Sequence, residues 1–155
     1  MKAKQRKALR ICSYIIFGVY IILLTYFLFF AESTGRTFEG RTYHYNLVLF
    51  KEIRRFLKYR DSLGYMTVVL NLVGNVVAFI PFGMILPIMN HRFQSFFYMA
   101  FLTFEFSLVV ELIQLVCKVG SFDVDDLLLN TIGGILGYLI FALGNRIRRH
   151  KYEKA

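Results

Sequence analysis

Four long apolar runs divide the chain, and they limit what it can fold into. Ile11 to Ala31 has no charged residue over 21 positions, and Val68 to Met89 has none over 22. Phe93 to Val116 carries two glutamates, and Leu127 to Gly144 carries no charge. About 20 apolar residues carry a helix across the hydrocarbon core of a bilayer. The expectation is an all-α integral membrane protein, a four-transmembrane-helix bundle with spans near 11–31, 68–89, 93–116 and 125–144 in a single domain over 1–155. Hydrophobic residues make up 57% of the chain, above the roughly 45–50% of a soluble domain.

The first run follows a basic start, Met1 to Arg10, but it exceeds the ~7–15 residues of a signal-peptide core. Phe29-Phe30-Ala31 is not a small-x-small cleavage site, so the run reads as a retained anchor. Basic residues near span ends set orientation. Eleven bases and one acid, Glu153, fall on the face holding both termini and Arg92, against eight bases and seven acids on the other. Both termini are therefore expected in the cytoplasm of a multi-pass cell-membrane protein. The +9 net charge is mostly this topology signal, and nucleic acid is not expected as a partner. Cys12 and Cys117 fall at opposite ends of spans, too far apart for a disulfide.

The outer loop runs from 32 to 67. Glu32 to Arg41 has turn chemistry. Phe50, Ile53 and Leu57 then recur at helical spacing, with Lys51, Arg54, Arg55 and Lys58 on the other side. That pattern predicts a short amphipathic helix lying in the interface. It is either a lid over the bundle or a grip on lipid phosphates or an anionic wall polymer. In the second span, Pro81 and Pro87 can bend the helix or aid its packing. In the fourth, Gly133 and Gly137 allow close helix approach. They serve packing within the chain or, alternatively, a homo-oligomer.

Polar residues interrupt three of the spans. At 1.5 Å per residue, Asn75, Glu111 and Asn130 each lie seven residues, about 10 Å, from the outer ends. Asn71, Gln114 and Asp126 sit one turn nearer the surface. Asn71 and Asn75 share a face; so do Ser107, Glu111 and Gln114, and so do Asp126 and Asn130. The stripes are expected to converge in one polar cluster that opens outward, with Asp123 and Asp125 at its rim. The competing readings are structural glue, helix capping by the acidic run, and a metal site. Glu105 lies on a different face near mid-span, where Tyr20 is its expected hydrogen-bond partner. An enzyme would have to use Glu111 and Asp126 as an acid–base pair. His44, His91 and His150 all lie in loops or tails, and no Gly-x-Ser-x-Gly or His-Glu-x-x-His motif occurs. No catalytic residue, metal or cofactor is assigned.

The ordered set Asn71-Leu-Val-Gly-Asn75-Val-Val-Ala-Phe-Ile-Pro81-Phe-Gly83, Glu111-Leu-Ile-Gln114 and Asp123-Val-Asp125-Asp126-Leu-Leu-Leu-Asn130-Thr-Ile-Gly133-Gly134-Ile-Leu-Gly137-Tyr138 resembles the VanZ-like family of teicoplanin resistance protein-like membrane proteins. The resemblance runs from Asn46 to Tyr138. Asn46-Leu-Val-Leu49-Phe50 is similar to the family's Asn-Leu-x-Pro-Phe element, with leucine where proline is usual. It implies a small bacterial membrane protein and, for the namesake, lowered sensitivity to a lipoglycopeptide antibiotic. It implies no known reaction. The functional expectation is a non-enzymatic protein whose outer-leaflet pocket recognises a lipid-linked envelope molecule or such an antibiotic. The alternative is an accessory or scaffold membrane subunit.

Overall fold

The chain, seen here as a computed structural model, is described over residues 3–31, 43 and 45–153, with side chains over 10–29, 43 and 45–150. The turn-rich stretch 32–41 and the side chains of most terminal bases lie outside the described residues. Helix α1 (Ala3–Tyr26) ends in a wider π-helical turn, Phe27–Ala31. Strand β1 (Tyr45–Asn46), helix α2 (Lys51–Lys58) and helix α3 (Arg60–Leu63) follow. Then come α4 (Tyr65–Met89), a 3-10 turn (His91–Gln94), α5 (Phe96–Cys117), β2 (Phe122–Asp123) and α6 (Val124–Glu153). Four helices are long and apolar enough to cross a membrane: Arg10–Phe29, Tyr65–Met89, Phe96–Cys117 and Val124–His150.

Local chemistry sets the boundaries. Gly64, at φ 84°, takes a positive-φ conformation open to glycine that lets α4 start at Tyr65, before the apolar run proper. Phe93 falls in the 3-10 turn rather than in α5, because the Asn90 side chain accepts from the Arg92 amide and closes that turn. Lys118 ends α5 in the left-handed conformation at φ 54°, and the Val119 amide returns 3.1 Å to the Gln114 carbonyl. α6 runs past the apolar residues into its basic tail, since its backbone bonds are internal whatever its side chains carry.

α6 is the central helix. Gly133 lies against the Val76 carbonyl and Gly137 against the Ile80 carbonyl, an ascending register that makes α4 and α6 parallel. On its other side Gly134 meets Thr103, and Asn130 meets Ser107, a descending register that makes α5 antiparallel. α1 lies antiparallel on α4. The Tyr20 hydroxyl donates to the Ala78 carbonyl at 2.9 Å, and the Phe17 ring sits 6.0 Å from Phe82. Leu24 and Leu28 bury with Phe79 and Val110, while Phe82, Ile85, Leu86, Met89 and Met99 form a second core. Phe82 stacks on Phe106 at 4.7 Å. Large apolar side chains such as Phe97, Val116 and Ile22 face outward, as hydrocarbon allows.

α4 stays helical through Pro81 and Pro87. Both lie in or beside the stretch where its backbone nears α6, and the Pro87 carbonyl accepts from Gln94 Nε2 at 3.0 Å. Gly133 and Gly137 are used within the chain. A Cβ on Gly137 would overlap the Ile80 carbonyl, whereas one on Gly144 would meet nothing within 4 Å. Overpacking a tight contact costs roughly 1–3 kcal/mol. Gly137→Ala should therefore lower the thermal midpoint in detergent clearly, while Gly144→Ala leaves it unchanged or raises it.

Candidate functional site

The polar residues singled out by the sequence gather at the end of the bundle that carries β1 and β2. These strands pair in parallel, with Tyr45 opposite Phe122 and Asn46 opposite Asp123. Two residues per strand make a weak ladder, so side chains must reinforce it. Asn46 accepts from the Val48 amide at 3.2 Å, forming a local turn, and its Nδ2 reaches Asp123 Oδ1 at 3.2 Å. Asp123 Oδ1 also accepts from the Asp125 amide at 2.8 Å, which caps the start of α6. The Asp123 amide in turn donates to Glu111 Oε2 at 3.1 Å. One buried aspartate thus joins β1, α5 and α6.

Asp125 reaches away from its own helix. Its Oδ1 accepts from the Phe50 amide, and its Oδ2 accepts from Glu52 at 2.9 Å and Ile53 at 3.2 Å. These are the orphan amides at the start of α2. Phe50, at φ 64°, has no side chain able to cap them, so a residue 75 positions away does so. A carboxylate also suits the positive end of a helix. An eight-residue helix is marginal alone, since isolated helices shorter than about 12–15 residues barely form in water. The cap from α6 decides whether α2 exists in this place.

The remaining members form separate pairs. Asn75 donates through Nδ2 to Asp126, and Asn130 donates to Ser107 Oγ at 2.9 Å. Gln114 donates to the Leu28 carbonyl at 3.0 Å, satisfying the π-helical end of α1. Asn71 turns back on its own helix, donating to the Thr67 carbonyl at 2.8 Å. Asn75 therefore meets Asp126 rather than Asn130, one helical turn from the level that residue counting gives. Counting from helix ends ignores the tilt and stagger of the helices, and that accounts for the offset. Asn130 is buried, and its Oδ1 has no hydrogen-bond partner among the described residues. Among the described residues no group of three or more His, Cys, Asp and Glu is arranged to hold a metal ion.

α2 presents two faces. Ile53 and Phe56 turn toward the bundle, while Lys51, Arg54, Arg55 and Lys58 are exposed. Leu57 and Phe50 are also exposed, so the inward pair differs from the expected Phe50, Ile53 and Leu57. Phe50 precedes the helix in a left-handed conformation, which takes its side chain out of the helical repeat. Arg55 pairs with Glu52 at 2.7 Å. Glu105 is exposed on the outward face of α5, and Tyr20 bonds the Ala78 carbonyl in its place. Asn46 and Ser107 are site residues that residue-by-residue reasoning undervalued. The Asn-Leu-x-x-Phe element was the available signal for Asn46, and the α5 stripe for Ser107.

The VanZ/LLP1 family model matches residues 17–145, which takes in every residue of this site. The chain belongs to that family. It is also 34% identical over 80 residues to Protein VanZ of Enterococcus faecium, a stretch covering 52% of this chain and 49% of that protein. The chain thus spans about half the length of the curated relative it matches. No solved structure matches it. Within this VanZ/LLP1 chain Asp123, Asp125 and Glu111 are the residues that lock the β1–β2 end.

Removing a buried acceptor costs about 1–3 kcal/mol per donor left unsatisfied. Asp125→Ala should speed hydrogen exchange of the Lys51–Lys58 amides by roughly tenfold or more and spare the amides near Gly133 and Gly137. A second outcome concerns pH. Burial pushes the Asp123 carboxyl above its ordinary pKa, hydrogen bonds from Asp125 and Asn46 oppose this, and the charges of Asp125 and Glu52 add to it. A carboxyl with a folded pKa above its unfolded value holds its proton more tightly when folded. Stability then falls as pH rises from about 4 through the raised pKa. Asp123→Asn keeps an oxygen for the Asp125 amide and should flatten that slope in thermal melts.

Proposed function

We propose that this protein is a non-enzymatic binding protein of the outer membrane–water interface, recognising a lipid-linked envelope molecule or a lipoglycopeptide antibiotic. In this reading both termini are cytoplasmic, and the β1–β2 end faces outward, as the distribution of bases suggests. The recognition element is α2 with the turn before it. The observation that carries the proposal is the Asp125 clamp. It fixes α2 against the bundle with Lys51, Arg54, Arg55 and Lys58 exposed together.

That surface has the chemistry of an amphiphile receptor. Lys51, Arg54 and Lys58 offer donors to phosphate or carboxylate groups, while Arg55 is held by Glu52. Beside them the exposed Leu47, Val48 and Leu49 offer apolar area for an acyl chain. Membership of the VanZ/LLP1 family, whose namesake the resemblance links to lipoglycopeptide resistance, supports the same class of ligand. The buried members, Glu111, Gln114, Asp123, Asp125 and Asn130, and the half-buried Asn75 and Asp126, act in this reading as the brace beneath the surface. Their hydrogen bonds to one another and to backbone favour bracing over direct contact with ligand.

A protection experiment tests both placement and recognition. In a Cys12→Ser/Cys117→Ser background, Leu57→Cys should react with a membrane-impermeant maleimide on intact cells. A lipoglycopeptide should slow that reaction severalfold, and a glycopeptide lacking the acyl chain should slow it less. Arg54→Ala/Lys58→Ala should abolish the protection. Reaction only after permeabilisation would reverse the orientation, and unslowed reaction would remove α2 as the recognition element.

A further inference from the structure

A second feature lies at the opposite end of the bundle, remote from α2. A cleft of about 700 Å³ opens between the C-terminal half of α6 and the turn leading into α5. That volume is within the ~300–1,000 Å³ range of small-molecule sites. Tyr138, Phe141 and Ala142 line its inner end beside Gln94, and Arg146, Arg149 and His150 line the end nearer the C-terminus. Among the described residues lining it none is acidic.

The order of these residues along α6 gives the cleft a direction. Tyr138 to Arg149 is eleven residues, about 16 Å of helix. The inner end therefore sits at hydrocarbon depth, and the guanidinium groups sit where α6 leaves its apolar run. Tyr138 pins the deep end, its hydroxyl donating 2.6 Å to the Gln94 carbonyl, with the Phe96 ring 6.0 Å away. Near the rim, Asn145 Oδ1 accepts from Arg148 at 2.8 Å, and this contact commits Arg148 to its own helix. Arg146 and Arg149 are exposed and are three residues apart on one face.

We propose that this cleft seats one anionic phospholipid, with its phosphate on Arg146 and Arg149 and the upper part of an acyl chain along Tyr138, Phe141 and Ala142. Basic residues at span ends attract anionic leaflets in general. What sets this place apart is the combination of a half-open cleft, the apolar side chains Phe141 and Ala142 at its inner end, and two guanidinium groups nearer the C-terminus. Guanidinium groups match phosphate oxygens in geometry as well as charge. The site would order the C-terminal end of α6 and stiffen the α4–α5 turn against it.

Native mass spectrometry of the full-length protein in detergent tests this, using phosphatidylglycerol and phosphatidylcholine of identical acyl chains. The wild type should retain one phosphatidylglycerol roughly tenfold better than phosphatidylcholine. Arg146→Gln/Arg149→Gln should lose that preference. Ala142→Phe, which fills the inner end without changing charge, should weaken retention while leaving the thermal midpoint intact. Arg10→Gln/Arg92→Gln removes two bases from the same end outside the cleft and should leave the preference unchanged. Equal retention of the two lipids overturns the proposal. So does an equal loss in the Arg10/Arg92 pair, which would mean diffuse attraction. Displacement of the lipid by millimolar inorganic phosphate would assign the cleft to a free anion instead.

Discussion

Two helices, α2 and α6, begin close together in space, and their first amides need acceptors that helix geometry cannot supply. The acidic run before and within α6 answers both needs. Asp123 accepts from the second amide of α6, and Asp125 accepts from the Phe50 amide just before α2 and from two amides within it. Because Asp123 also holds Asn46 and passes its amide to Glu111, the two helix starts and α5 are tied to one point. The local order of the interfacial segment is therefore set from inside the bundle. Its position cannot be understood from residues 45–63 alone.

The bundle below that point is held by shape. Lipid tails are as apolar as leucine, so hydrophobicity gives these helices no reason to associate with each other, and close packing must supply it. Glycines on two sides of α6 let α4 and α5 approach at the same time. Thr103, which faces Gly134, turns its hydroxyl to the Met99 carbonyl at 2.8 Å, so the close approach leaves no orphan donor. The same economy recurs where the π-helical end of α1 exposes the Leu28 carbonyl and Gln114 fills it.

The spans and the short amphipathic helix were legible in the sequence because hydropathy and helical period are local properties. So were the polar stripes, since spacing alone puts Ser107, Glu111 and Gln114 on one buried face. Partner choice was not legible. Whether Asn75 meets Asp126 or Asn130 depends on tilt and stagger between parallel helices, which no single helix encodes. The cap from Asp125 to α2 crosses more than 70 residues and could be suspected only from the family-like Asn46 element. Depth alone pairs Tyr20 with Glu105, yet Tyr20 faces α4, because α1 packs there and Glu105 points outward.

Magnitudes separate the roles of the amides and the acids. A polar contact between membrane helices averages about 0.6 kcal/mol, so Asn130 with Ser107 adds little beyond choosing a register. Hydrogen bonds to a charged acceptor contribute about 1.5–3 kcal/mol each, and Asp125 receives three of them at a helix start. An unclamped α2 would keep its composition and still lie at the interface, drawn by its bases and apolar residues. What it would lose is a fixed relation between Arg54, Lys58 and the Leu47–Leu49 turn. Under the proposed function, binding a molecule with both a charged group and a tail would require that spacing, and the acids would serve it by holding α2 in place.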